Sequence, residues 1–401
     1  MRRDVGNEKK RNQTMDKIKK GYKRTEIGAL PDDWEVKKLG EFITIKGGIA
    51  FTSHYFSDKG PILITPGNFK LNGGLYFNQK NTKRYLGPYS SKMTFKSGDL
   101  LIVMTDLTPD CNLLGKPAFV ETQEIVLHNQ RIGKILVHDN VISTKYLYWL
   151  MLSPLYLNQI KDKATGSTVR HTSNSSVYSS IIPLPSLPEQ KAITEVLSDA
   201  DNLIQTFEKC IAKKCLIKQG AMQKLLTPKE DWEVKKLGEI LKVKHGKSQK
   251  DIEDRNGQYP ILGTGGLMGY ANQFLYNRES VLIGRKGTID KPRYMDIPFW
   301  TVDTLFYTEI FKYVSPKYLF YKFLQIDWYS YNEASGVPSL NAKTIENIEI
   351  PLPPLEQQTH IATILSDIDN EIEALEKKLA KYKQIKQGLM QNLLTGKLRL
   401  I

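Results

Sequence analysis

The sequence is poor in cysteine and histidine, and it has no long apolar run. Its three cysteines among 401 residues are an odd number without zinc-like spacing, which excludes a disulfide framework and a zinc site. Its six histidines form no metal-like cluster. No stretch approaches the roughly 18 consecutive apolar residues of a membrane span, and no apolar stretch follows the basic start, as a secretory signal would require. We therefore expect a cytoplasmic protein that binds neither a metal nor a membrane.

Motifs of catalysis are also scarce. The glycines at 263–266 follow a predicted strand, but no amphipathic helix comes after them, which argues against a dinucleotide site. Residues 245–248, His-Gly-Lys-Ser, end like a phosphate loop, but the glycine that such a loop needs five positions before Gly246 is Leu241. No Asn-Pro-Pro-Tyr tetrapeptide of the kind used to methylate a base amino group occurs. We expect no catalytic residue and no cofactor in this chain.

The charge is strongly basic, with 57 Lys and Arg against 43 Asp and Glu and a formal net charge of +14. Most of the excess lies before residue 183, and much of it lies in the first 30 residues. A basic extension is often only a solvated tail, so the charge permits nucleic-acid binding without establishing it. We interpret residues 1–28 as a basic N-terminal arm.

Two internal repeats determine the predicted architecture. The nine residues Asp33–Glu41 recur unchanged at Asp231–Glu239, 198 positions later. Residues 183–229 align without gaps with 351–397 at an offset of 168, and about half of the aligned positions are identical. The chain is thus a duplicated unit of opening motif, variable segment and conserved segment, in which the second variable segment is 30 residues shorter.

The conserved segments have the pattern of long helices. Apolar positions spaced four and three apart form a coiled-coil seam in the second copy, and the first copy has residues at the same places. The two seams are Ile193, Leu197, Ala200, Ile204, Phe207, Ile211 and Lys214, and Ile361, Leu365, Ile368, Ile372, Leu375, Leu379 and Tyr382. Ser186 and Glu189 resemble a capping box at the start of the first helix. Because the seams match in length and period, we predict that each is the other's partner, rather than packing on separate domains.

The variable segments alternate like β-structure. Short apolar runs bounded by Gly, Asp or Pro predict strands, and one aromatic stretch in each copy (145–158 and 316–327) predicts a helix. The aromatic residues of the second stretch are expected in the core. An α+β fold with curved β-sheets follows.

These patterns divide the chain into five parts. They are the arm at 1–28, a globular domain at 29–182, a conserved helix at 183–229, a second globular domain at 230–350, and a second conserved helix with a tail at 351–401.

The doubled motifs resemble the specificity subunits of type I restriction-modification systems. The opening Trp-Glu-Val-Lys-Lys-Leu-Gly-Glu, the Ile-Pro-Leu-Pro at Ile182–Pro185 and Ile350–Pro353, and the ending Leu-Leu-Thr-Gly-Lys-Leu at 393–398 are similar to theirs. The resemblance covers the chain from about Ala29. It implies two target recognition domains on an antiparallel coiled coil, each reading one half of a bipartite target. A pseudo-twofold protein of this kind would match the symmetry of duplex DNA.

The resemblance also implies partners. It implies two methyltransferase subunits that bring S-adenosylmethionine and the chemistry, together with translocating endonuclease subunits. Two alternatives are a structural scaffold that binds another protein, and a stand-alone DNA-binding regulator. The scaffold would lack salt-dependent affinity for double-stranded DNA, whereas the regulator would bind its sequence tightly without partners.

The candidate DNA contacts are glycine-containing loops with side chains that can read base edges or approach phosphates. Their alternative interpretation is ordinary hairpin turns. The candidates are Lys46, Gly47, Asn129, Gln130, Arg131 and Ser167 in the first domain, and Lys247, Ser248, Arg285, Lys286, Asp303 and Thr304 in the second.

Overall fold

The computed structural model describes residues 20–138 and 140–401. Most of the predicted basic arm, residues 1–19, lies outside the described residues. The chain divides into two compact units. Unit 1 contains the residues up to Gln205 together with Ala380–Ile401, and unit 2 is Thr206–Leu379.

The variable part of unit 1 is mainly β-structure. Its strands are β1 (Tyr22–Thr25), β2 (Gly28–Pro31), β3 (Glu35–Lys38), β4 (Ile43–Gly47), β5 (Phe56–Leu63), β6 (Lys83–Tyr85), β7 (Thr94–Phe95), β8 (Leu100–Val103), β9 (Thr105–Asp106), β10 (Pro117–Phe119), β11 (Val126–Leu127), β12 (Ile132–Val137), β13 (Arg170–His171) and β14 (Ile181–Leu184). The helices that begin within it are α1 (Thr144–Met151), α2 (Pro154–Asp162), α3 (Asn174–Tyr178) and α4 (Leu187–Leu225).

Unit 2 repeats this plan with fewer strands. Its strands are β15 (Glu233–Lys236), β16 (Leu241–His245), β17 (Tyr259–Gly263), β18 (Gly266–Ala271), β19 (Ser280–Gly284), β20 (Arg293–Met295), β21 (Trp300–Thr301), β22 (Leu305–Ile310) and β23 (Glu349–Leu352). The helices that begin in it are α5 (Leu237–Ile240), α6 (Pro316–Phe323), α7 (Ala342–Glu346) and α8 (Leu355–Leu393). Short 3-10 helices lie at Leu39–Glu41, Ser53–Tyr55, Pro66–Asn68, Ser91–Met93 and Trp328–Tyr331.

Each unit contains a main four-stranded antiparallel sheet and a second, smaller or mixed sheet. In unit 1 the strand orders are β10-β8-β12-β4 and β6-β5-β11-β7, and in unit 2 they are β16-β22-β19-β20 and β18-β17-β21. The mixed sheets carry one parallel pair each, β5 with β11 and β17 with β21. The predicted α+β class is therefore confirmed.

The two repeated motifs pair with each other inside each unit. In unit 1, β3 of the opening motif lies antiparallel to β14, with Glu35 opposite Leu184. In unit 2, β15 pairs with β23, with Glu233 opposite Leu352. In both units, each repeated motif therefore supplies backbone hydrogen bonds to the other.

The aromatic helices contribute to both cores, as predicted for the second stretch. In unit 1 Tyr146 of α1 is fully buried, and in unit 2 Tyr318 and Phe323 of α6 are fully buried. Two serines accept hydrogen bonds from backbone N–H groups in the first turns, Ser153 for α2 and Ser315 for α6, and a proline follows each of them. Serine at the N-cap and proline at the next position satisfy free N–H groups and fix the start of a helix.

The long helices α4 and α8 are 39 residues each, or about 58 Å at 1.5 Å per residue. Their predicted seam positions are buried or half-buried from Ile193 to Lys214 and from Ile361 to Tyr382. Within unit 1, Lys386 of α8 pairs with Asp201 of α4. Within unit 2, Lys218 pairs with Asp369 at 2.5 Å. In each unit the early part of one helix lies beside the late part of the other, so the two helices are antiparallel there.

Glu189 does not form the capping box expected with Ser186. Its buried carboxylate instead accepts hydrogen bonds from the Trp34 indole at 2.8 Å and from the Arg399 guanidinium at 2.9 Å. Arg399 also forms a bidentate pair with Asp33, with both contacts at 2.9 Å. One distant cation, Arg399, and one distant neutral donor, Trp34, thus outcompete a local backbone N–H for this carboxylate.

In unit 2, a neutral residue occupies the position that corresponds to Glu189. Gln357, which is 168 positions after Glu189, accepts from the Trp232 indole at 3.2 Å and donates to Asp231 at 2.8 Å. The opening motif is therefore tied to the start of a long helix in both units, by an ionic network in unit 1 and by an amide in unit 2.

Within the described ranges, none of the helices is both long enough and apolar enough to cross a membrane.

Candidate nucleic-acid interface

The first two candidate loops of unit 1 lie side by side. The N–H of Ile49 donates to the carbonyl of His128 at 3.1 Å, and the N–H of Gln130 donates back to Ile49 at 2.9 Å. The strands beneath them, β4 and β12, pair in register with Gly47 opposite Gly133. The structure thus brings residues 46–48 and 129–131 to one end of the main sheet.

Met104 connects the third loop to this group. Its N–H donates to the carbonyl of Arg131 at 2.9 Å, and its carbonyl accepts from Thr172 at 3.0 Å. The loop that contains Ser167 is closed by paired backbone bonds between Thr165 and His171. All three candidate segments of unit 1 therefore share one edge.

Unit 2 assembles its candidates in the same way. The N–H of Lys247 donates to the carbonyl of Thr301 at 2.8 Å. The N–H groups of Arg285 and Lys286 both reach the carbonyl of Thr304, at 2.9 and 3.2 Å. The Arg285 guanidinium also donates to the carbonyl of Asp303 at 3.1 Å.

A further segment, Ser335–Ser339, belongs to this surface and was not among the predicted residues. The N–H of Gly287 donates to the carbonyl of Pro338 at 2.9 Å, and the N–H of Leu340 donates to the carbonyl of Arg285 at 2.9 Å. The segment occupies the position that the Ser167 loop has in unit 1. The sequence held a weak signal for this segment, because Ala-Ser-Gly at 334–336 has the same Ala-x-Gly pattern as Ala-Thr-Gly at 164–166.

A glycine is required where the first loop crosses the second in each unit. A Cβ at Gly48 would lie 2.4 Å from the carbonyl oxygens of His128 and Asn129. A Cβ at Gly246 would lie 2.0 Å from the carbonyl oxygen of Val302. Contacts this short are sterically forbidden, so only glycine allows the backbones to approach. The two glycines are 198 positions apart, the offset of the opening motif.

The surfaces are exposed and basic. Lys46, Gly47, Gln130, Arg131, Ser167, Lys247, Ser248, Lys286 and Asp303 are exposed, and Asn129, Arg285 and Thr304 are half-buried. Among the described residues, no ion pair engages the candidate lysines or arginines. Their charges are therefore available to an anionic ligand.

Two buried polar side chains, His128 and Asp106, hold backbone groups of the unit 1 surface by hydrogen bonds. Burial lowers the pKa of His128, whose Nε2 lies 2.9 Å from the carbonyl oxygen of Ile132, so the imidazole is neutral near pH 7. The buried Asp106 accepts from the N–H groups of Thr108 and Leu114 at 2.9 and 3.2 Å. In the described part of the chain, no cluster of His, Cys, Asp and Glu could hold a metal ion.

Comparison with known proteins gives consistent matches along the chain. A family model of the type I restriction modification DNA specificity domain matches residues 31–214 and 229–387. The type I restriction enzyme MjaVIII specificity subunit of Methanocaldococcus jannaschii is 26% identical, over 92% of this chain and 94% of its own length.

Solved structures share the fold. The type I restriction-modification S subunit of M. genitalium aligns with a TM-score of 0.66 and 18% identity, covering 90% of this chain and 96% of its own. A chain from a study of complex assembly and conformational transition of the type I restriction-modification system aligns with a TM-score of 0.55 and 17% identity, covering 92% and 99%. With two family matches along most of its length, the chain belongs to the type I restriction-modification DNA specificity family.

Proposed function

We propose that this chain is the non-catalytic, sequence-specific DNA-binding subunit of a type I restriction-modification complex. One observation supports this most: each unit assembles corresponding loops into one exposed, basic surface that is rich in side chains of the types that can read base edges. Unit 1 then reads one part of a bipartite target, and unit 2 reads the other.

The chemistry of the side chains fits base recognition. Arginine and lysine pair with guanine, asparagine and glutamine pair with adenine, and a carboxylate accepts from cytosine. Unit 1 offers Asn129, Gln130 and Arg131 in one loop, and unit 2 offers Arg285 beside Asp303. The glycines beside these residues let the backbone approach phosphates.

The long helices have a separate role in this proposal. Each contributes one end to unit 1 and the other end to unit 2, so their length sets the spacer between half-sites. The conserved segments dock two methyltransferase subunits, which carry S-adenosylmethionine, and the translocating endonuclease subunits join that complex.

Selection of binding sites from random duplex DNA tests the proposal, with the chain alone and with the reconstituted methyltransferase complex. We expect a split target with two specific parts and a non-specific spacer of fixed length. A chain without salt-dependent DNA affinity in either form would instead be a protein scaffold. Full specificity and affinity without a methyltransferase would indicate a stand-alone regulator.

The purified chain alone should transfer no methyl groups and cleave no DNA. The reason is that its sequence contains neither the motifs of a methyltransferase nor those of a nuclease. Incubation with tritiated S-adenosylmethionine and target duplex measures the transfer, and the reconstituted complex is the positive control. Methyl transfer by a preparation free of partner subunits contradicts the non-catalytic assignment.

Arg285→Ala should relax recognition of only one half-site. If Arg285 makes a bidentate contact with guanine, its loss costs about 1–3 kcal/mol at that base pair, or about 5- to 150-fold in affinity. The measurement is methylation or binding by the complex of targets mutated separately in each half. Recognition of the half-site assigned to unit 1 should not change.

Arg278→Ala is the matched control, because it removes the same positive charge from an exposed position just before β19 begins. A phosphate contact by Arg285 would behave differently, since it would weaken binding to all sequences and reduce the salt slope by about one. Equal relaxation of both half-sites in a folded protein would refute the proposal that each unit reads its own half-site independently.

A further inference from the structure

At the candidate surface of unit 1, two apolar residues flank a short segment, His128–Arg131. The segment leads into β12, which lies between β4 and β8 in the main sheet. Beyond the end of β4, the N–H of Ile49 donates to the carbonyl of His128 at 3.1 Å. Beyond the end of β8, the N–H of Met104 donates to the carbonyl of Arg131 at 2.9 Å. Ile49 and Met104 therefore lie on opposite sides of this segment.

In unit 2, two cations flank the corresponding segment, Thr301–Thr304. This segment leads into β22, which lies between β16 and β19. Beyond β16, the N–H of Lys247 donates to the carbonyl of Thr301 at 2.8 Å, and beyond β19, the N–H of Arg285 donates to the carbonyl of Thr304 at 2.9 Å. The same backbone bonds thus place an apolar residue on each side in unit 1 and a cation on each side in unit 2.

The match between the flanking positions extends beyond these bonds. Ile49 and Lys247 are 198 positions apart, which is the offset of the opening motif. The carbonyls of Met104 and Arg285 accept from N–H groups that are 168 positions apart, which is the offset of the long-helix repeat. Ile49 and Lys247 are both exposed, and Met104 and Arg285 are both half-buried. The two units therefore share the backbone at these positions and differ in the chemistry of the side chains.

The fold does not require an apolar residue at the first flanking position. Ile49 is 40% exposed, and Lys247 occupies the same backbone position in unit 2. Met104 packs partly against the core of unit 1, so part of its apolar character is structural. Single exposed apolar residues are common on protein surfaces, but Ile49 is bonded through its backbone to Gln130, in the middle of the candidate loops.

Apolar and cationic side chains recognise different bases in the major groove. Arginine and lysine donate to the N7 and O6 atoms of guanine, whereas an apolar side chain contacts the 5-methyl group of thymine. Arg285 is already oriented, because its guanidinium donates to the carbonyl of Asp303 at 3.1 Å and keeps further N–H groups for a ligand. The segments between the flanks do not divide in this way, since Arg131 of unit 1 also suits guanine. We therefore restrict the assignment to the flanking positions.

We propose that the two flanking positions determine specificity in both units, and that they select different base pairs. In unit 1, Ile49 and Met104 contact the 5-methyl groups of thymines. In unit 2, Lys247 and Arg285 contact guanines. The assignment deepens the function proposed above and rests on it. It gives the half-site of unit 1 A·T pairs at the places where the half-site of unit 2 has G·C pairs.

Replacement of single thymines by deoxyuridine tests the unit 1 contacts, because it removes only the 5-methyl group. The full chain is used in the reconstituted methyltransferase complex, on the target that site selection returns. The wild type should lose about fourfold in affinity at the thymine that Ile49 contacts, the value of one buried methyl group. Ile49→Ala should bind the unmodified target more weakly and should not respond to deoxyuridine at that position.

Ile125→Ala is the matched control, because it makes the same substitution at an isoleucine of unit 1 that is 50% exposed, against 40% for Ile49. Ile125 lies before β11, whereas His128 follows that strand. This variant should keep the response of the wild type to every deoxyuridine. An equal response of the wild type and Ile49→Ala at every thymine would overturn the assignment of Ile49.

An exchange in unit 2 tests the cationic positions. Lys247→Ile with Arg285→Met gives unit 2 the kind of flanks that unit 1 has, and it leaves the core of unit 1 untouched. The double variant should lose at least about fivefold of its preference for guanine at two base pairs of one half-site. Targets with thymine at those two places should bind it better than the original target does, and deoxyuridine there should cost about fourfold in affinity.

Lys312→Ile with Arg278→Met is the matched control for the exchange, since it removes two exposed cations near the other ends of β22 and β19. Unfolding midpoints check that every variant is folded. An unchanged base preference after the exchange would overturn the guanine assignment. So would weaker binding to all sequences with a salt slope reduced by about two, which indicates phosphate contacts. A wild-type complex that selects no split target would instead overturn the proposed function.

Discussion

Arg399→Ala should lower the free energy of unfolding of unit 1 by about 3 kcal/mol, because it leaves a buried carboxylate without its cation. The Glu189 side chain is only 1% exposed, and it accepts from the guanidinium of Arg399. The same substitution removes the bidentate pair with Asp33 and the contact of the guanidinium with the Trp34 ring, at 5.8 Å from its centroid. Urea unfolding with hydrogen exchange resolved by unit measures the effect.

Unit 2 supplies the control for this substitution. Because Gln357 holds the corresponding place without a cation, the double variant Glu189→Gln with Arg399→Ala should recover most of the lost stability. Hydrogen exchange in unit 2 should be the same in all three proteins. A double variant as unstable as Arg399→Ala would show that the buried charge is not the cause.

The contribution of Asp33 should depend on pH. Its pKa is lowered chiefly by the hydrogen bond from Arg399. A carboxyl group with a lowered folded-state pKa contributes stability that is present above its unfolded pKa, about 3.9, and is lost as the pH falls through the folded value. This part of the difference between wild type and Arg399→Ala should therefore shrink below about pH 4.

A four-residue insertion in α4 alone, placed after Lys209, should destabilise the fold by several kcal/mol. Four residues advance the helix by about 6 Å and rotate its seam by about 40°. Asp201 and Lys218 lie on opposite sides of the insertion, and each pairs with α8. An unchanged α8 cannot keep both pairs, so one unit loses its helix packing. Thermal unfolding measures the loss.

Matched heptads inserted in both α4 and α8 should keep the seams in phase and the protein folded. Seven residues add about 10 Å, which is about three base pairs of duplex. Site selection with the complex should then return the same half-sites with a longer spacer. A well-folded variant with the original spacer would refute the idea that the helices measure it.

The architecture could be predicted because the duplicated unit is visible as an internal repeat in the sequence. The gapless alignment of 183–229 with 351–397 gave both long helices, and their 4-3 spacing correctly identified the inward faces. The loops that carry the candidate DNA contacts could be identified because glycine beside basic and amide residues is a local sequence pattern. Which of them contact DNA stays a prediction.

Contacts between distant residues were not predictable in this way. Glu189 was assigned to a local cap because Ser186 is three residues away, whereas its actual partner, Arg399, is 210 residues away. The segment Ser335–Ser339 was missed since its position depends on backbone bonds to Gly287 and Arg285. Sequence patterns report neighbours along the chain, and a long-range ion pair leaves no such pattern.

Unit 1 is built from segments that leave the ribosome far apart in time. Its core combines Leu30 and Trp34 with Leu393 and Leu394, and Tyr22 donates to the carbonyl of Gly396 at 2.7 Å. Unit 2 is one continuous stretch, Thr206–Leu379. During synthesis, unit 2 can therefore complete its core while unit 1 still waits for residues 380–401. A premature stop shortly before Leu393 would damage the unit that was synthesised first and spare the one synthesised later.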